Sequence, residues 1–315
     1  MAADDYFISC DWGTTNFRLR VVESLSLRVL KEHKTNHGVK SIFGQFHQQH
    51  ELSQYQYFEA YLVGQIQQLP QEFHHLPIVA AGMSSSSIGL KELPYSNFPF
   101  DQGGESILHE QLQLKNGSSL VLISGVKEGN NVIRGEEVQA IGLSENLKDQ
   151  SVLVLPGTHC KHLKFDNSQF VGFNNFMTGE LFSLLTQNSI LSNSTAKSAL
   201  TDALTSTFQA GVKFGAELGL TSNLLELRGR DLMGDATKEE NYYFLSGMLI
   251  GDELNYLKRS NDPVVLASGE PTFTLYRLAL EELVEGKRVT CLGEMEIERA
   301  LLAGQRKIMN RVWEG

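Results

Sequence analysis

Two short turns in the sequence join glycine to small hydroxyl residues: Asp11-Trp12-Gly13-Thr14-Thr15-Asn16 near the start, and Pro156-Gly157-Thr158-His159-Cys160-Lys161 near the middle. A tight turn of this composition presents successive backbone N–H groups, an arrangement that suits phosphate oxygens. Gly13 lets the backbone approach closely, and Thr14 and Thr15 add hydroxyl donors. Asp11 could hold a magnesium ion directly or through water, which would neutralise a nucleotide's phosphates. One such turn is ordinary turn chemistry. Two, on opposing domains, could clamp the β and γ phosphates across a cleft, with Gly157 and Thr158 as the second set of donors. No G-x-x-x-x-G-K-[ST] and no G-x-G-x-x-G occurs, so neither a P-loop nor a dinucleotide fingerprint is present.

The elements that must position these turns follow from local pattern. Residues 6–10 are mostly β-formers and 17–22 alternate apolar with polar, so the first turn closes a strand-turn-strand unit. The same grammar recurs at 151–155, the second turn, and strands expected at 162–165 and 170–173. A third apolar run, 264–267, ends at Ser268-Gly269 and opens into a helix, with Pro271 where a first turn tolerates proline. Apolar residues return at three- and four-residue steps over 54–69, 177–190, 243–257, 273–284 and 297–312, which predicts helices there. Strands alternating with helices predict an α/β protein. The repeated hairpin start at residues 6 and 151 predicts two related domains, 1–147 and 148–315, divided at the polar stretch 145–150.

The chain has 315 residues, and a single core stops growing at about 250–300, which also favours two domains. Its 37 Asp+Glu against 27 Lys+Arg give a formal net charge of −10, with no run of five Lys/Arg. That balance argues against holding nucleic acid or an anionic membrane by bulk charge. Cys10, Cys160 and Cys291 are odd in number and far apart, and the histidines make no H-E-x-x-H, so no disulfide framework or zinc site is expected. The start, Met1-Ala-Ala-Asp-Asp5, is acidic where a signal peptide would be basic, and the apolar stretch 242–251 is too short for the ~20 residues of a membrane span. A cytoplasmic protein is expected; monomer or homodimer is left open.

Several segments carry a family resemblance. Asp11-Trp-Gly-Thr-Thr-Asn-Phe-Arg18, Ala81-Gly-Met83, Arg134-Gly-Glu-Glu137, Pro156-Gly-Thr-His-Cys-Lys161, Met177-Thr-Gly-Glu-Leu181 and Phe244-Leu-Ser-Gly-Met-Leu-Ile-Gly251 resemble, in order and spacing, the 2-dehydro-3-deoxygalactonokinases. That family belongs to the superfamily of sugar kinases, actin and heat-shock chaperones, and the match runs from about residue 6 to 308. The resemblance implies a two-domain actin-like ATPase (ribonuclease H-like) fold with a duplicated βββαβα core and an interdomain cleft. It also implies ATP and magnesium as cofactors, and phosphorylation of the 6-hydroxyl of a 2-keto-3-deoxy sugar acid.

Phosphoryl transfer needs cations around the moving group, an acceptor for the hydroxyl proton, and here a holder for the sugar carboxylate. Asp11 is then the magnesium residue, while Gly13, Thr14, Thr15, Gly157, Thr158 and Lys161 serve the phosphates. Glu136 is the expected base, with Glu137 second, at a helix start ending near Leu143. His159 and Glu180 stand in reserve, and Glu180 could bond a sugar hydroxyl. Arg18 and Arg134 are better placed than Lys161 or Lys164 for a carboxylate, since Arg offers a bidentate fork. Gly82, Met83 and Ser84 line the expected sugar-facing loop. Gly247 and Gly251, four apart on a helix, could leave room for a flat adenine, and Ser268-Gly269 would belong to the adenosine pocket.

Two segments depart from the family pattern. Ala267-Ser-Gly-Glu-Pro271 stands where Ala-Gly-Thr-Ser is expected, and Ser84-Ser-Ser-Ser-Ile-Gly-Leu90 replaces Val-Gly-Ser followed by Gly-Trp. An exopolyphosphatase-like phosphatase, which shares a Gly-Glu-Glu helix start, and a sugar- or nucleotide-binding module without catalysis are the alternatives these segments leave open.

Overall fold

The computed structural model describes residues 5–49 and 51–314. Residues 1–4, which carry most of the acidic start, lie outside them. The chain divides into two compact units: unit 1 holds the residues up to Asn146, Ser168–Gly172 and those from Glu298 onward, and unit 2 holds Leu147–Asn167 and Phe173–Ile297.

Unit 1 begins with β1 (Tyr6–Trp12), β2 (Phe17–Glu23) and β3 (Val29–Thr35), followed by α1 (Val39–Phe46), α2 (Gln54–Ile66) and β4 (Ile78–Gly82). The short strands β5 (Ser96–Asn97) and β6 (Phe100–Asp101), then β7 (His109–Gln113), β8 (Ser119–Ile123), β9 (Val126–Glu128) and β10 (Asn131–Ile133), lead to α3 (Glu136–Leu143). Its main sheet has the order β3-β2-β1-β4-β8-β7. The first three strands pair antiparallel, whereas β4 runs parallel to β1 and β8 parallel to β4.

The helix α2 starts where a capping box, Ser53 with Gln56, satisfies its first N–H groups. Its Phe58 and Leu62 pack on Trp12, Phe17 and Leu19 of the sheet. Trp12 is fully buried among Phe17, Phe58 and Tyr61, with ring centroids at 4.9, 5.3 and 5.5 Å, so the indole is a core residue and not a ligand platform. A buried ring of this kind contributes roughly 2–3 kcal/mol by removal of apolar surface from water.

Unit 2 contains β11 (Ser151–Leu155), β12 (Cys160–Asp166) and β13 (Gln169–Phe176), then α4 (Thr178–Asn188), α5 (Asp202–Leu218), α6 (Glu226–Met233) and α7 (Lys238–Leu254). It closes with β14 (Val264–Ala267), α8 (Thr272–Leu283), β15 (Val289–Leu292) and the first residues of α9 (Glu294–Glu314). The strand order β13-β12-β11-β14-β15 repeats β3-β2-β1-β4-β8 of unit 1, with β14 parallel to β11 and β15 parallel to β14. Each unit thus carries three antiparallel strands followed by two parallel ones in the same sheet order, the duplicated sheet expected of an actin-like ATPase fold; α8 joins the last two of these strands in unit 2, whereas the segment between β4 and β8 in unit 1 holds short strands and no α-helix. Among the described residues no helix is long and apolar enough to cross a membrane.

Unit 1 breaks off at Asn146, and neither unit is one continuous piece of the chain. Residues from Glu298 onward return to unit 1. The cause is polar stitching by α9: Gln305 Nε2 donates to the carbonyls of Cys10 and Val79, both at 3.2 Å, and Glu298 accepts from Arg20 at 2.8 Å. The start of β13 also belongs to unit 1, where Phe170 pairs with Phe100.

Candidate active site

The first turn is fixed from behind. The N–H groups at the start of α1 draw in its carbonyls: Gly38 N–H bonds Thr15 O at 2.8 Å, Val39 bonds Gly13 O at 2.9 Å and Lys40 bonds Thr14 O at 3.2 Å. Gly38 must be glycine for this, because a Cβ there would overlap the backbone of Thr14 and Thr15. Gly13 N–H is used inside the turn, to Asn16 O at 2.9 Å. Thr14 and Thr15 are exposed, and among the described residues nothing takes their N–H groups. The N–H groups this turn leaves unpaired among the described residues are therefore those of Thr14 and Thr15; Gly13 supplies shape and not a free N–H.

The second turn uses the same device. Glu180 N–H, near the start of α4, bonds Thr158 O at 3.0 Å, and a Cβ on Gly179 would come within 2.5 Å of Gly157 O. The Cys160 thiol donates to Gly157 O at 3.4 Å, and Lys161 Nζ donates to His159 O at 2.7 Å. Gly157, Thr158 and His159 remain exposed, with N–H groups that no described residue accepts. In each unit a helix start and a close-packed glycine hold a Gly/Thr turn by its carbonyls, which leaves its donors facing outward.

Beneath the second turn lies a buried polar network. Glu253 of α7 accepts from His162 Nε2 at 2.8 Å, from Tyr276 Oη at 2.8 Å and from the Thr178 hydroxyl, and Tyr276 meets Cys160 Sγ at 3.0 Å. Burial pushes the Cys160 thiol up to about 11, reinforced by the Glu253 charge, so it is a structural donor and not a nucleophile.

The proposed acceptor residues of unit 1 meet where β1, β4 and α3 converge. A Cβ on Gly82 would lie 2.9 Å from Trp12 O, and one on Gly135 would lie 3.3 Å from Gly82 Cα. Both glycines have positive φ, +84° and +108°, which other residues rarely adopt. Gly135 then launches α3 with Glu136 and Glu137 in its first turn. Glu136 is half-buried and accepts Arg134 N–H at 3.2 Å; Glu137 is buried and accepts Gly135 N–H at 2.7 Å. Burial first, then the neighbouring Glu136 charge, pushes the Glu137 carboxyl up to about 8. Asp11, at the end of β1, is also held above the ordinary aspartate range by loss of water, with Arg18 and Arg20 opposing the shift.

A family model for the 2-keto-3-deoxy-galactonokinases matches residues 11–308. The chain belongs to this family. It is 29% identical to the 2-dehydro-3-deoxygalactonokinase of Escherichia coli (strain K12), covering 97% of this chain and 98% of that protein. It is 28% identical to the Rhizobium meliloti (strain 1021) protein named a probable 2-dehydro-3-deoxygalactonokinase, over 99% of each chain. The crystal structure of a Sinorhizobium meliloti protein described as a candidate for the same activity superposes with a TM-score of 0.80 at 27% identity, over 98% of this chain and 97% of that one.

Within this 2-keto-3-deoxy-galactonokinase family member, several expected ligand residues have other partners. Arg18 is paired with Glu298 at 3.0 Å and with Glu32 at 4.0 Å, so its charge serves the seam between β2, β3 and α9. The Ser84 side chain is fully buried with its hydroxyl turned to Ala81 O. Lys161 Nζ donates to the carbonyl of His159 in its own turn at 2.7 Å. Gly247 and Gly251 leave no room for adenine, because Phe208 and Val212 of α5 occupy it; reciprocally, Gly211 and Gly215 of α5 face Phe244 and Met248. The Ser268 hydroxyl bonds Gly269 O at 3.2 Å, and Gly269 O accepts Phe273 N–H at 2.9 Å as α8 begins. His159 and Glu180 do come together, at 2.5 Å on the exposed face of the second turn.

Unit 2 of this kinase family member instead offers a pocket of about 200 Å³ between α4, α7 and α8. Phe182, Tyr242, Leu249, Ile250 and Leu275 make its walls, and Gly157 of the second turn lies at its rim. Sequence reading missed this pocket, as it missed Gly38 and the Glu253 network. Gly38 had a visible signal, a glycine placed just before an apolar-periodic helix; Glu253 had none, since its partners come from three separate segments.

Proposed function

We propose that the protein catalyses ATP-dependent phosphorylation of the 6-hydroxyl of 2-dehydro-3-deoxygalactonate. The observation that carries this reading is the duplicated turn: two exposed Gly/Thr loops, each with its carbonyls drawn back and its donors outward. One stands beside the Gly82, Gly135 and Glu136 cluster and the other at the rim of an apolar pocket. The apolar pocket of unit 2 suits a purine, with Gly157, Thr158 and His159 N–H groups beside it for phosphate oxygens. The cluster of unit 1 suits the sugar acid, with Met83 half-buried at its loop and Arg134 as its cation.

Glu136 accepts the proton of the 6-hydroxyl as that oxygen attacks the γ-phosphorus. The bond from that phosphorus to the β–γ bridging oxygen breaks, and ADP leaves with the electron pair. Asp11 fits magnesium: burial holds its carboxyl above the ordinary aspartate range even with Arg18 and Arg20 opposing the shift, and a bound cation would offset that loss of water. Among the described residues no group of three or more metal-ligating side chains exists, so a magnesium there would keep mainly water and phosphate oxygens, as that ion prefers. When bound, it would supply charge neutralisation for the transferred group.

A coupled assay of ADP formation across galactonate- and gluconate-derived keto-deoxy acids tests the reading. Turnover with the galactonate-derived acid is expected; phosphate release from polyphosphate without it would favour a phosphatase. Glu136→Gln should lower kcat about 100-fold or more, with the KM for ATP nearly unchanged. Unchanged turnover would pass the role to Glu137, His159 or Glu180.

A further inference from the structure

The Ser84–Leu90 departure places a hydroxyl against the acceptor cation. Arg134 Nη1 donates twice to one residue, to Ser85 O at 2.5 Å and to Ser85 Oγ at 2.6 Å, and its guanidinium lies over the Tyr95 ring, 4.4 Å from the centroid. Ser85 is fully buried, and its carbonyl is itself fixed by Leu93 N–H at 3.1 Å, so the anchor does not move freely. Among the described residues nothing accepts a hydrogen bond from Arg134 Nε or Nη2. The guanidinium is thus held on one terminal nitrogen and one face, while the Nε–Nη2 edge, the side-on fork that matches a carboxylate, is left for a ligand. It stands two residues before Glu136, the group proposed to take the hydroxyl proton.

We propose that Ser85 is a positioning residue that presents this edge of Arg134 to the carboxylate of the acceptor, and so sets selectivity for an acid over a neutral sugar. The inference rests on the sugar-acid reading above and names a residue to which that reading gives no role. A hydrogen bond to a charged group is stronger than one between neutral partners, which keeps a flexible Arg in one orientation.

Kinetics and binding calorimetry of Ser85→Ala and Arg134→Lys, with 2-dehydro-3-deoxygalactonate and its methyl ester as probes, test it. Both variants should raise the KM and Kd for the acid about tenfold, on the scale of one such bond. The KM for ATP and kcat should stay near wild type, and ester binding should not change. Equal losses for acid and ester, or no change in either variant, would overturn the role of Ser85. If the wild-type protein binds the acid better than the ester and Ser85→Ala abolishes that preference, yet no ADP forms, the kinase reading fails and the positioning role stands. A wild-type protein that prefers neither ligand overturns both.

Discussion

Glu137 shows how strongly one position in the α3 start is set by its surroundings. Its carboxyl is buried beside Glu136 and pushed up to about 8, against 4.5 for an ordinary glutamate. Between those two values the unfolded chain has released the proton and the folded chain has kept it, so this group makes stability fall as pH rises from about 4.5 to about 8. Glu137→Gln removes that dependence. The melting temperature of the wild type relative to Glu137→Gln should therefore decline across this window and level off above it; parallel curves would contradict the assignment. The same shift separates the two carboxylates as bases, since a rate that climbs only as pH passes about 8 would assign the proton transfer to Glu137. Little of this could be read from a Glu-Glu pair at a helix start. For Arg18, Ser84 and Lys161 the residue type suited ligand binding, but each has a partner inside the fold, and partner choice is not written in local pattern.

Elements were legible where the pattern was local. The strands flanking both turns, α2, α4, α8 and β14 lie where β-formers, capping residues and three- and four-residue steps put them. Helix α5 was missed because its packed stripe contains Gly211 and Gly215, which carry no hydrophobic signal, yet they are what lets it approach α7. The start of α7 was missed because the capping box of Thr237 and Glu240 precedes its apolar face. Two predictions belong to this scale. Gly38→Ala should destabilise unit 1 by about 1–3 kcal/mol through overpacking against the first turn and raise the KM for ATP, whereas Gly44→Ala, in open space on the same helix, should stabilise by about 0.5–1 kcal/mol. Equal effects in denaturant unfolding would remove the buttressing role of α1. Glu253→Ala should cost roughly 3 kcal/mol, because it strands the buried donors of His162, Tyr276 and Thr178 that join β12, α8 and α4; a cost under about 1 kcal/mol would mean the network is dispensable.

At the scale of the whole chain, a net charge of −10 and a demand for anionic ligands coexist because the positive charge is local. Arg134 stands beside the acceptor cluster, and the second turn lies over Lys161 with its N–H groups outward. Bulk charge would then repel a sugar acid at long range, so capture depends on site geometry and should weaken little with salt. The duplication was legible from two hairpins of like grammar. The return of α9 to unit 1 was not, because Gln305 and Glu298 reach partners nearly 300 residues away. If the two turns serve phosphoryl transfer to a keto-deoxy sugar acid, phosphorus NMR of the reaction with ATP, magnesium and 2-dehydro-3-deoxygalactonate will report it. One new phosphomonoester is expected, coupled to the C6 protons and formed in step with ADP. Inorganic phosphate as the sole new signal, or a spectrum unchanged from the ATP control, would contradict it.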